Sequence, residues 1–262
     1  MNWGLFAIDL TVWEFILFVI AGIAAGIINT LAGSGSLITL PVLMFVGGLP
    51  ASVANATNRV GVLFQGAVGV MGFRKLGTTN FHNTTWILVP SATGALLGAR
   101  IAVGLSERTM NFVIGGLMVF MLLVLVLRPE RWIQESVADT NRHRHPLSLA
   151  VFFIIGVYGG FLQVGVGIFI LAALVLMNGF SLRAGNGVKL LLVTAFTLPA
   201  LLLFLYYGQV HLGYGLLLAV FQSIGAWLAV RFAARFRDAN RWIYRLLIFV
   251  VAVSALKLFL SS

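Results

Sequence analysis

Asn29 to Gly61 reads NTLAGSGSLITLPVLMFVGGLPASVANATNRVG, with hydroxyls, amides and one arginine placed around the short apolar run 36–47. A second stretch has the same plan: Gln163, Gly165 and Gly167 precede the run 168–180, and SLRAGNGVKLLL (181–192) follows it with Asn186 and Lys189. These residue types suit the binding of an anion. Glycine admits a positive φ and lets a ligand approach the backbone, so Gly33, Gly35, Gly165 and Gly167 are candidate backbone donors, and Ser34 and Ser36 add hydroxyls. Asn29, Asn55, Thr57, Asn58, Gln163 and Asn186 are candidates to hydrogen-bond its oxygens, and Arg59 and Lys189 to set the charge.

Each assignment has a plainer rival at this level. Small residues also allow helices to pack closely in membranes, and the amides, with Gln65 and Gln222, also serve as interhelical hydrogen-bonding groups. Arg59 and Lys189 lie within two turns of an expected helix start, where long cations also snorkel to headgroups. The acids are informative by position: Asp9, Glu14, Glu107, Glu130, Glu135, Asp139 and Asp238 all fall at termini, loops or helix ends. A carrier of cations or a carboxylate proton relay would want an acid at mid-membrane; this pattern favours an anion.

The elements that must hold these groups are helices in a bilayer. Sixty per cent of the 262 residues are hydrophobic and 9% charged. Long apolar runs recur at 12–32, 52–73, 84–104, 109–127, 148–165, 186–206, 212–234 and 242–260, each near the roughly 20 residues a spanning helix needs. They are apolar on every face, whereas strands of a membrane barrel alternate. The first fifteen residues lack the positive region of a secretory signal, so the first run is expected to stay in the mature chain. At about 1.5 Å per residue the runs 36–47 and 168–180 cross only about half of the hydrocarbon, which makes them half-length helices in hairpins. A half-helix that starts inside the membrane leaves free N–H groups and partial positive charge at that start.

The chain repeats itself. A shift of 134 pairs Gly22 with Gly156, Gly26 with Gly160 and Gly33 with Gly167; a shift of 131 pairs Gly48 with Gly179, Asn55 with Asn186, Gly77 with Gly208, Gly94 with Gly225 and Arg100 with Arg231. The change of offset places a three-residue deletion in the second copy between the mates of Gly33 and Gly48. Arg74 and Lys75 follow one run of the first copy while the loop around Gly208 has no cation, and Arg235, Arg237, Arg241 and Arg245 sit where the first copy has Arg108 beside Glu107. Cytoplasmic loops carry the excess of lysine and arginine, so equivalent loops face opposite sides and the repeats are inverted. The expected fold is an all-α polytopic membrane protein of two inverted repeats, each of five hydrophobic segments: about eight full transmembrane helices plus two half-length segments. The first repeat takes residues 1–127, a cytoplasmic linker 128–147, and the second repeat 148–262, with both termini extracytoplasmic. Inverted repeats with broken helices hold substrate near the midplane.

Other chemistries find little support. The net charge of +10 reads as orientation signals facing anionic lipid rather than a nucleic-acid surface. No cysteine is present, which excludes disulfides and thiolate sites. RHRHP (142–146) is a weak metal site without acid or cysteine partners. The sequons at Asn55 and Asn83 carry no argument, and no phosphate loop, dinucleotide fingerprint or nucleophile–base–acid set is found. Neither an enzyme, nor a cofactor, nor a metal site is expected.

With these residues in view, GIINTLAGSGSLITLPVLMFVGGLPASVANATNRVG resembles the first signature of the sulfite exporter TauE/SafE family, related to 4-toluene sulfonate uptake permeases, and GVYGGFLQVGVGIFILAALVLMNGFSLRAGNGVKLLL is similar to its repeat. The resemblance implies a carrier of the bacterial or archaeal inner membrane that moves sulfite, sulfonates or related sulfur-containing anions, sulfur-containing carboxylates among them, mostly outward; with the two inverted repeats, the expected mechanism is alternating access. Ser36 stands where such proteins often have glycine, and Lys189 where a small hydroxyl residue is often found. A passive anion channel and a non-transporting scaffold are the alternatives, and homo-oligomerisation is left open.

Overall fold

A computed structural model describes Phe6 and residues 8–77, 84–127 and 146–233. Among the described residues there are nine helices and no strand. The last expected span, 242–260, most of the linker and RHRH of the histidine motif lie outside them.

The first hairpin opens with α1 (Val12–Ala32), whose start is fixed by a capping box: the Thr11 hydroxyl accepts from the Glu14 N–H and the Glu14 carboxylate accepts from the Thr11 N–H. It stops at Gly33, where φ of 77° turns the N–H back onto Ile28 and Asn29 carbonyls. The half-helix α2 (Ser36–Phe45) follows, then α3 (Ala51–Lys75), which begins where the Glu107 carboxylate meets the Ser52 N–H and hydroxyl. The rest are α4 (Thr85–Val103), α5 (Glu107–Leu127), α6 (Pro146–Phe161), the half-helix α7 (Val166–Leu176), α8 (Leu182–Tyr206) and α9 (Leu212–Ala233). At 10 and 11 residues, α2 and α7 are about 15–17 Å long, half of a bilayer core.

Among the described residues, five helices are long and apolar enough to cross a membrane: Val12–Ala32, Thr85–Val103, Glu107–Val124, Ala184–Tyr206 and Leu212–Arg231. Two of the expected full spans differ. The 25-residue α3 has the length but carries Asn55, Thr57, Asn58, Arg59 and Gln65 along its first half, and α6 has only 16 residues, ending four before the expected 165. The early end of α6 also relocates the deletion. α1 runs six residues past Gly26, whereas α6 ends one residue past its mate Gly160, so the shortening falls before the break.

Packing follows the glycines. At the α1–α9 crossing a Cβ on Gly26 would enter the Gln222 backbone, and one on Gly225 the Ile23 carbonyl; at the α4–α6 crossing Gly160 meets Ala95 and Gly94 meets Phe153. Backbones that approach this closely gain dispersion and leave no room for side chains. The sequence mates Gly26 and Gly160, and Gly94 and Gly225, thus occupy the corresponding crossings, and α3 packs on α8 between them.

Candidate functional site

The two helix breaks touch. The Gly167 N–H donates to the Gly33 carbonyl at 3.1 Å, and a Cβ on Gly33 would stand 2.5 Å from the Gly167 Cα. Neither α2 nor α7 has a side-chain cap at its N-terminus. Of the expected backbone donors, however, Gly33, Gly35 and Gly167 already have partners, because the N–H of Gly35 reaches the Asn29 Oδ1 at 3.4 Å. Gly167 is not a loop residue but the second residue of α7, and it is Gly165, with φ of 65°, that turns the chain into that helix.

In the first break, Asn29 donates to Gln65 Oε1 at 3.2 Å. Asn58 donates to the Ser36 hydroxyl at 3.0 Å and accepts from Thr39 at 2.6 Å, tying α3 to the first turns of α2. In the second break, Gln163 donates to Thr197 at 2.6 Å. Gln163 is the one non-glycine residue with positive φ among those described, at 60°. A left-handed conformation costs a side-chain-bearing residue roughly 1–2 kcal/mol, and the Gly33 break meets the same geometrical need with glycine. Thr57, a candidate for hydrogen-bonding a ligand's oxygens, accepts from the His211 N–H at 2.9 Å and so anchors the start of α9.

Arg59 and Lys189 do not snorkel. Both are 0% exposed, and each crosses to the other half of the chain. Arg59 donates to the carbonyls of Gly159 (3.0 Å), Gly160 (2.6 Å) and Phe161 (3.2 Å), the last turn of α6, while its guanidinium lies 4.8 Å from the Phe204 ring centroid. Asn55 supports it by donating to the Phe161 carbonyl at 2.9 Å. Lys189 donates to the Thr30 carbonyl in the last turn of α1 at 3.0 Å and to Asn186 Oδ1 at 2.7 Å. A helix C-terminus has unpaired carbonyls and partial negative charge, so a cation there is well placed. The spacing of 130 between Arg59 and Lys189 makes them counterparts in this role, one residue off the alignment of Lys189 with Asn58.

Around these contacts several buried polar atoms have no partner: Ser34 Oγ, Gln65 Nε2, Gln163 Oε1, Gln222 Nε2 and Arg59 Nε. Buried polar groups are nearly always hydrogen-bonded, so each of these atoms is open to a ligand or water. Gln222 sits between α1 and α3, its backbone against Gly26 and its amide against Gly61. Gln65 and Gln222 had the signal of an amide in an apolar run; Thr197 and His211 had none, since their roles depend on which helix packs beside them. Of the described acids, Glu14 and Glu107 lie at helix starts, Glu14 with Thr11 and Glu107 with Ser52, and Asp9 precedes α1. No group of metal-binding side chains occurs among the described residues.

No solved structure matches the chain. Curated relatives do: it is 27% identical over 218 residues to the probable membrane transporter protein ORF9 of Sinorhizobium sp, covering 82% of this chain and 81% of that one. It is 26% identical over 247 residues to the probable membrane transporter protein YfcA of Escherichia coli K12, covering 94% and 90%. A probable membrane transporter protein of Haemophilus influenzae is 27% identical over 220 residues, covering 80% and 81%. The touching helix breaks and their buried polar surround thus sit in a chain whose residues 18–258 match the sulfite exporter TauE/SafE family, and the chain belongs to that family.

Proposed function

We propose that this protein exports a sulfur-containing anion across a bacterial or archaeal inner membrane by alternating access between two inverted halves. The observation that carries the reading is Arg59: a fully buried guanidinium beside two meeting helix breaks, bonded to neutral carbonyls and with no carboxylate partner among the described residues. Carbonyl dipoles solvate such a cation but leave its net charge, and burial makes that charge act over a longer range than in water. An anion arriving at the breaks offsets it.

In this reading the Ser34 hydroxyl, the free Nε2 amides of Gln65 and Gln222 and the Arg59 Nε donate to the anion's oxygens, while Asn29, Asn58 and Gly35 hold the first break and Gln163 the second. Ser36, Asn55, Thr57, Gly165, Gly167, Asn186 and Lys189 shape the site from behind. The Gly33–Gly167 contact must part for a ligand to pass between the breaks, and matched packing of α1 on α9 and α6 on α4 provides two comparable bodies to rock. Arg74 and Lys75 at the end of α3, and Arg231 at the end of α9, set those ends in the cytoplasm. The export direction and the choice of sulfur anions rest on the family description alone.

The test is flux in liposomes that contain the purified protein. Labelled sulfite, thiosulfate, sulfoacetate, mercapto-acids and simple dicarboxylates are offered with and without unlabelled substrate on the far side. Saturable uptake accelerated by counterflow supports the carrier. Non-saturating flux without exchange points to a channel, and no flux of any sulfur anion removes the substrate assignment.

A further inference from the structure

The ends of α3 and α9 enclose a groove of about 340 Å³ away from the breaks, with Val68, Met71, Gly72, Leu76, Trp227 and Val230 as its apolar walls and Lys75 and Arg231 at the same site. Gly72 admits the Val230 side chain, whose Cγ1 would stand 2.8 Å from a Cβ placed there. The Arg231 guanidinium lies over Trp227, 3.9 Å from the ring centroid, and the residue is exposed. α3 stops at Leu76 because Gly77 takes φ of 64° and turns its N–H onto Arg74, which leaves Lys75 exposed at the end of the helix.

We propose that this groove binds an anionic phospholipid, its phosphate between Lys75 and Arg231 and one acyl chain along the Val68–Met71–Trp227 wall. The chemistry is matched at both ends: an apolar slot takes a tail and nothing polar, and two exposed cations beside it take a phosphate. The mate of Arg231 is Arg100, which lies over Tyr207 at 5.5 Å, but the mate of Lys75 is Tyr206, so the corresponding place on the other half has a single cation. The paired cations therefore occur where positive-inside placement puts the anionic leaflet and not at the mated end.

Native mass spectrometry of the full chain in neutral detergent tests this with phosphatidylglycerol and phosphatidylcholine of identical tails. Phosphatidylglycerol is expected to be retained preferentially. With about 1 kcal/mol for each cation near a lipid surface, Lys75→Gln or Arg231→Gln weakens retention about fivefold and the pair about thirtyfold, whereas Arg100→Gln does not change it. Val68→Trp, which fills the slot and keeps both cations, weakens it too. For the unmodified protein, retention falls as salt rises. Equal retention of the two lipids, a double variant that binds as the parent does, salt-independent binding, or displacement of the lipid by equimolar inorganic phosphate would each overturn the proposal.

Discussion

Replacing Arg59 by methionine separates two roles that one residue could hold. Methionine has similar length and no charge, so the cavity stays filled while three donated hydrogen bonds disappear. The Phe161 carbonyl retains Asn55, but those of Gly159 and Gly160 lose the guanidinium at the end of α6. A buried polar group left without a partner costs about 1–3 kcal/mol, so the two together cost about 2–6 kcal/mol. Release of the buried cation from its desolvation offsets part of this, and we expect a net loss of about 2–4 kcal/mol. For a chain of this size that lowers the melting temperature by roughly 5–15 °C. Thermal unfolding of the substrate-free protein in one neutral detergent measures it, with Arg59→Lys as the intermediate case because an ammonium lacks the planar fork. If substrate-free Arg59→Met melts at or above the parent, the arginine does not hold α6 through its three carbonyls.

Lys189→Met is the counterpart on α1; it takes the ammonium away from the Thr30 carbonyl and from Asn186 Oδ1 and should destabilise by about 1–3 kcal/mol, read by the same melt. At Gln163, alanine loses the bond to Thr197 and keeps the strained φ, whereas glycine loses the bond and relieves about 1–2 kcal/mol of strain; the glycine variant should melt several degrees above the alanine one while both lose flux. Gly33→Ala forces a Cβ against Gly167 and should abolish accumulation of folded protein, measured by fluorescence-detected size exclusion. Gly48→Ala, with the same sign of φ but open space around it, should cost only about 1 kcal/mol.

The helices themselves were largely legible because long apolar runs separated by glycine and proline have few other readings: the expected half-helices 36–47 and 168–180 fall at Ser36–Phe45 and Val166–Leu176. The glycine pairs were legible too, and they appear at corresponding crossings. What the chain's order did not reveal was the destination of the long side chains. Arg59, near a helix start, reads equally as a headgroup anchor or a ligand, and only the arrival of α6 from a hundred residues away decides that it meets carbonyls. Likewise Thr57 looks like a free hydroxyl until His211 is packed beside it. The deletion falls before the break for a similar reason: Gly33 and Gly167 match by type, but one ends a helix and the other lies inside one.

The exchange of cations between halves has a consequence for how the protein is made. Arg59 leaves the ribosome a hundred residues before the carbonyl of Gly159 exists, a wait of roughly 5–20 s at ordinary synthesis rates. During that interval an arginine within an apolar segment has no partner in its own half, and such a charge resists entry into lipid. The first half is thus expected to dwell at the insertion machinery, or to lie shallowly, until α6 emerges. Splitting the chain in the linker and supplying the second half late would measure how long it can wait.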